Sequence, residues 1–313
     1  MASTALAEPL PRVDFEPAPA EATAALPAVS NEAEARRGPM HPVRSALVML
    51  ATLSLTFVGY LTVGSTLEHN AAQTNRYAHL RGQLALGTAP VGPTDANGHL
   101  LAMGTPIAVL RIPSLGLREV VGEGTTGSVL ASGPGHLRST VFPGGAGTSV
   151  VLGRAHAYGG PFGSIGGLKH GTNITVTSAN GTATLHVVDV RRAGQPIPTL
   201  NSGSARVTLV TATGSPYSPS GTVSVDADTT KPLPSTPPVL SNVPAAERPM
   251  GTSTSGMWMV FLWTEALLLL SFAAVWLWYR RSPAHALILC SAPVLLAAAE
   301  ACRSIAPLLP NLM

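Results

Sequence analysis

Two histidines, His136 and His156, lie in the stretch from Gly133-Pro134-Gly135-His136 to Gly160-Pro161-Phe162 and are the side chains best suited to proton transfer at neutral pH. The usual partners of such a histidine are missing. The two cysteines, Cys290 and Cys302, both lie in the last apolar run, so the segment around the histidines has no thiolate nucleophile, disulfide or cysteine metal site. The histidines do not have metal-ligand spacing, and His170 and His186 stand apart as solvent-facing positions. The glycines and prolines of 133–163 are dispersed and have no Lys-Ser/Thr ending, so they read as turn-makers and not as a phosphate cradle. No cofactor is expected. Two carboxylates, Glu265 and Glu300, fall inside apolar runs, where an ionisable group is a functional hypothesis by default. Glu300 reads as a rim group beside Arg303, and Glu265 is open between a structural contact and a contact with a partner helix.

The elements that must position these groups follow from composition. Of 313 residues only 11% are charged. The mean hydropathy of +0.28 is too apolar for an ordinary soluble chain. The apolar excess gathers near both ends, which points to membrane spans. The formal charge of +3 comes from scattered arginines, which gives nucleic-acid binding little support.

Residues 1–43, rich in Ala, Pro and Glu, read as a disordered cytoplasmic tail. Residues 44–66 contain an uncharged run of spanning length behind Arg36, Arg37 and Arg44 and read as a signal anchor, with the chain beyond it outside the cell. A juxtamembrane helix over 67–85 and a Gly/Pro/Asn linker over 86–104 follow. From about 105 to 228 the pattern becomes short strands at 107–112, 120–121, 149–152, 173–177, 182–190, 206–211 and 222–225. Asn180-Gly181 is a hairpin signal, and the whole reads as an all-β barrel or sandwich. Residues 229–255, rich in Pro, Ser and Thr, read as a semi-extended stalk. Residues 257–279 form a second span with Trp258 and Trp263 at one end and Trp276, Trp278 and Tyr279 at the other. Arg280-Arg281 places the latter end in the cytoplasm, and 284–302 is a weaker third span interrupted by Pro293.

The runs PIAVLRIPSLGLREVVGEGTT (106–126), GPGH (133–136), FPGGAGTSVVLGRAHAYGGPFGSIGGLKHGTNITV (142–176) and RVTLVTA (206–212) together resemble the sortase family, closest to the actinobacterial class E type. The resemblance implies a closed eight-stranded β-barrel, anchored by flanking transmembrane helices and facing the outside. It also implies cleavage of a Leu-Pro-x-Thr-Gly-like sorting signal and transfer of the product to a cell-wall amine or pilin lysine. That chemistry uses a cysteine nucleophile, a histidine for the protons and an arginine at the oxyanion or signal peptide. All three family slots are changed here. The histidine slot is Arg154, the cysteine slot is Ala212, and the arginine slot, the loosest of the three to align, is Thr222.

A methyl group cannot attack a carbonyl, so the expected protein is a pseudoenzyme. It would hold a sorting-signal-like peptide or a secreted partner at the cell surface, in a groove drawn from His136, Arg154, His156, Tyr158 and Ala212. Arg154 would bring a permanent positive charge to that groove. Position 156 is two residues from the histidine slot, and strand alternation would put His156 on the same face as Arg154. His156 and Thr213 are the substitute pair for an atypical Ser/Thr–His enzyme, with Thr211 and Ser215 as further hydroxyls. His136 reads as a loop-fixing residue. The remaining alternative is a structural component of a membrane complex.

Overall fold

A computed structural model describes residues 54–55, 58–216, 218–253, 256–280, 283–305 and 308–313. The tail at 1–43 and most of the expected first span lie outside them. Residues 58–66 are helical and include a π-helical turn at Tyr60–Gly64. Helix α1 (Ser65–Leu86) continues directly and ends at Gly87 in the left-handed conformation.

The β-branched runs form eight strands: β1 (Pro106–Ile112), β2 (Leu117–Glu123), β3 (Gly135–His136), β4 (Gly147–Leu152), β5 (Asn173–Ser178), β6 (Gly181–Arg192), β7 (Ala205–Ser215) and β8 (Ser218–Thr229). They close into one barrel in the order β1-β2-β3-β4-β7-β8-β6-β5. The short helix α2 (Gly127–Ala131) lies between β2 and β3. Closure gives every strand a neighbour on both sides, although β3 covers only Gly122 and Glu123 of β2. "All-β" therefore fits the barrel but not the whole chain, which also carries long helices. The two-residue strand β3 was not anticipated, because two residues carry no alternation. It pairs parallel with β2 and antiparallel with β4. A Cβ on Gly135 would lie 2.2 Å from the Gly124 carbonyl, so only glycine permits this close approach.

The interior is filled by Ile107, Leu110, Ile112, Ile174, Leu185, Val207, Leu209 and Val225. On β7, Val207 and Leu209 face this core, whereas Val210 and Ala212 face a second cluster with Leu130 and Leu152. The strand is buried on both faces from Ala205 to Ala212, so the outer face of β7 is covered rather than solvated.

Because β3 is so short, β2 is unpaired on that side at Val120. Gln73 of α1 replaces the missing strand. Its Oε1 accepts from the Val120 N–H (2.7 Å) and its Nε2 donates to the Val120 and Ser132 carbonyls (3.2 and 2.8 Å). Leu80 packs below, against Val109 and Val120.

Residues 230–253 differ from the stalk expected over 229–255, because the segment is anchored to the barrel. Leu233 N–H donates to the Gly144 carbonyl (2.8 Å), and Leu233 packs on the core. Further on, the fully buried Glu247 takes a bidentate pair from Arg138 (2.9 and 2.5 Å). This bond raises the Arg138 pKa above its ordinary value. Composition gave the segment no packing period, but a few well-placed anchors suffice to hold it. Arg138→Ala leaves the Glu247 carboxylate buried and unpaired. We expect a loss of about 3 kcal/mol, with faster tryptic cutting at Lys231 and Arg248 as the readout.

Helices α3 (Met257–Arg280) and α4 (Pro283–Ile305) are both long and apolar enough to cross a membrane, over Met257–Leu277 and Ile288–Ile305. They pack together through Leu267, Ala297 and Ala298, where small side chains let the backbones approach. Glu300 pairs with Arg303 (2.8 Å), and Arg303 also binds Glu68 of α1. Glu265 is exposed.

Candidate functional site

Three separate pieces of chain build most of the site: the loop after β4, the end of β7 and the start of β8. β4 ends at Leu152 because Gly153 brings its backbone against the Phe162 ring, where a Cβ would sit 2.4 Å from the ring. The loop then turns back on itself, with the Phe162 N–H donating to the Arg154 carbonyl (3.0 Å). Phe162 is fully buried in the core and pins the loop. Antiparallel pairing of β7 and β8 sets Ala212 opposite Thr222. Thr211 donates to the Gly153 carbonyl (2.9 Å), which ties the end of β7 to the start of the loop.

A cavity of about 520 Å³ opens here, lined by His156, Thr213 and Ala212 together with Arg192, Gln195 and Val223. It brings together His156, Thr211, Thr213 and Ala212 from among the expected residues. Thr222 is the register partner of Ala212 and is half-buried.

The other expected groove residues are elsewhere. Arg154 does not present its charge to the cavity; the side chain is 1% exposed. Its Nη2 donates to the Gly127 carbonyl of α2 (3.0 Å) and its Nη1 to the Met313 carbonyl (3.3 Å). Nε has no partner among the described residues. Burial without a carboxylate pushes the guanidinium down to about 10. His156 is exposed, so the two positions do not share a face. Strand alternation fails because the strand has already ended at Leu152.

Tyr158 is also buried and away from the cavity lining. It adopts a left-handed backbone (φ 54°), its N–H donates to Ser65 Oγ (3.1 Å), and its ring lies 4.8 Å from the Arg154 guanidinium. Burial raises the Tyr158 pKa above its ordinary value. His136 sits on the far side of the loop, 1% exposed, with Nδ1 2.9 Å from Glu123 and Nε2 2.9 Å from the Val141 carbonyl. Those bonds fix the turn that follows β3 and do not reach the cavity.

Sequence reasoning missed Arg192 and Gln195. β6 runs to Arg192, two residues beyond the alternating pattern, and Gln195 caps it by accepting from the Arg192 N–H (2.6 Å). No local signal marks either as a cavity residue, because their place depends on how β6 lies across β8. Among the described residues no group of three or more metal-ligating side chains occurs.

Residues 110–227 match the family model of the sortase domain. Similar solved structures include a point mutant of sortase E from Streptomyces avermitilis, at 30% identity over 47% of this chain and 100% of that one, TM-score 0.35. A sortase D5 transpeptidase from Clostridium perfringens shares 19% identity over 50% of this chain and 97% of that one, TM-score 0.42. Sortase E1 from Streptomyces coelicolor, solved with a tripeptide in its active site, shares 20% over 46% and 96%, TM-score 0.36. No curated protein matches the chain. The sortase-domain match thus covers the barrel, and among the described residues the same chain carries two helices long and apolar enough to cross a membrane.

Proposed function

We propose that the protein is a membrane-anchored sortase-fold module that holds a peptide segment outside the cell and does not carry out thiol transpeptidation. The N-terminus is cytoplasmic, the barrel is extracytoplasmic, and the ligand is a sorting-signal-like segment of a secreted or cell-wall protein. The observation that carries the reading is Ala212, because the cavity beside the cysteine slot is intact while its floor there is a methyl group. The cation available to a bound peptide is the exposed Arg192, not Arg154.

The test is photo-crosslinking of the full chain with a large excess of a sorting-signal peptide carrying a photoreactive group. Labelling of residues 211–214 and of His156 is expected, and Arg192→Ala is expected to weaken it severalfold. Labelling confined to other surfaces would sink the reading.

A second reading has one observation in its favour: His156 and Thr213 line the same cavity. A hydroxyl–imidazole enzyme needs the two within hydrogen-bond reach and the imidazole oriented by a third group. Peptide cleavage abolished by His156→Ala would establish it.

A further inference from the structure

The outer face of the barrel beside this cavity is already covered by a piece of the same chain. Residues 308–313 follow α4, and Asn311, Leu312 and Met313 are 0%, 0% and 5% exposed. Leu312 packs in one cluster with Leu130 of α2, Leu152, Ala155, Val210 and Ala212. Its carbonyl accepts from the Ala155 N–H (2.9 Å). The Asn311 side chain donates to the Thr125 and Arg248 carbonyls (2.9 and 3.0 Å), with the Ala246 carbonyl at 3.4 Å. The Asn311 N–H donates to the Gly251 carbonyl (3.0 Å). Arg154 completes the clasp by bridging the carbonyls of Met313 and Gly127.

These are the features of a bound peptide. One apolar side chain fills a pocket, backbone groups are matched on either side, and an amide reads a set of carbonyls. Ala155 and Ala212 border both this segment and the open cavity, so the two are adjacent. The buried Arg154 also gains a purpose, because its guanidinium spends its donors on this segment and on α2.

We propose that this face is a peptide site whose ligand in the resting protein is the chain's own segment 308–313, and that a peptide from outside gains the full face only when that segment leaves. The inference rests on the reading of the barrel as a peptide holder. Because the segment is tethered through α4, and α4 is tied to α1 by Arg303 and Glu68, its binding is intramolecular and persists even when its intrinsic affinity is modest. Movement of the membrane hairpin relative to α1 is therefore a route to opening the site.

Three forms of the detergent-solubilised protein test this: the full chain, a chain ending at residue 307, and Asn311→Ala. Each is titrated with a fluorescent peptide of the sequence of residues 308–313 and with a Leu-Pro-x-Thr-Gly peptide. The shortened chain is expected to bind both at least tenfold more tightly than the full chain. Asn311→Ala is expected to gain affinity for the Leu-Pro-x-Thr-Gly peptide severalfold. Equal binding of the 308–313 peptide by shortened and full chains, with the strand amides of the shortened barrel still protected from exchange, overturns the inference. If that protection is lost, Asn311→Ala decides, and unchanged affinity overturns it. A full chain that binds the Leu-Pro-x-Thr-Gly peptide as tightly as both variants overturns the self-occupied site and leaves the peptide-holding reading standing. If the shortened chain binds the 308–313 peptide and all three forms refuse the other, the self-occupied site is supported and the sorting-signal reading falls.

Discussion

Mixed with a sorting-signal peptide and an amine acceptor, the full chain is expected to return the peptide uncleaved, on the order of a million-fold below an enzyme with an intact nucleophile–base pair. On the proposed reading Ala212 stands at the position of the family's cysteine, and its methyl group cannot form a thioester. Neither remaining thiol is available, since Cys290 and Cys302 are both in α4. Arg154, on the same reading the position of the family's histidine, spends its guanidinium on two carbonyls and is charged throughout the physiological range even when pushed down to about 10. It accepts no proton from a nucleophile. Thr222, on that reading the position of the family's arginine, offers no positive charge to an oxyanion. Mass spectrometry of the peptide after long incubation is the measurement, with His156→Ala and Thr213→Val run alongside. Ala212→Cys restores a thiol without a base beside it and is also expected to stay at background. Cleavage by the unmodified chain that disappears in either of the first two variants would replace this reading with the hydroxyl–imidazole enzyme.

Phe162→Ala is expected to cost about 5 kcal/mol, at the upper end for a deleted core ring, and to release the loop that carries Arg154 and His156. The ring is fully enclosed with Ile165 and Leu168, and Gly153 presses its backbone against it. Removing the ring frees the turn that the Phe162 N–H closes on the Arg154 carbonyl. Pulse proteolysis in urea is the appropriate readout. All four tryptophans lie in α3, so their fluorescence reports the membrane hairpin and not the barrel. A loss under about 2 kcal/mol would mean that the loop is held by its hydrogen bonds and not by the ring.

The strands were legible in the sequence because each carries enough β-branched residues to show alternation. Seven of the eight are where Ile107–Ile112, Thr182–Val190 and the other runs place them, with ends shifted by a few residues. The exception, Gly135-His136, is too short to have a period, and its pairing with β2 is allowed by a glycine contact formed across the fold. The barrel closure was expected only through the family resemblance, and pairing register is what sets Ala212 opposite Thr222. The segment 229–255 misled because its composition is that of a linker, while its few anchors, Leu233 and Glu247, find their partners on distant strands and loops. The burial of Arg154 could not be read locally either. Strand alternation predicts a side chain's direction only while the strand lasts, and Gly153 ends it.

By itself the sequence determined that the chain joins apolar, membrane-type segments to one β-rich domain and that this domain resembles the sortase family. Those conclusions depend on residue type and near-neighbour spacing, which a linear chain displays directly. The tertiary structure alone decided which residues share a cavity, bringing in Arg192 and Gln195 and excluding Arg154, Tyr158 and His136. It also decided that residues 311–313 lie against Ala155 and Ala212. The reason is physical. Burial and hydrogen-bond partners are set by contacts between residues as far apart as Arg154 and Met313, and no local pattern encodes contacts at that range.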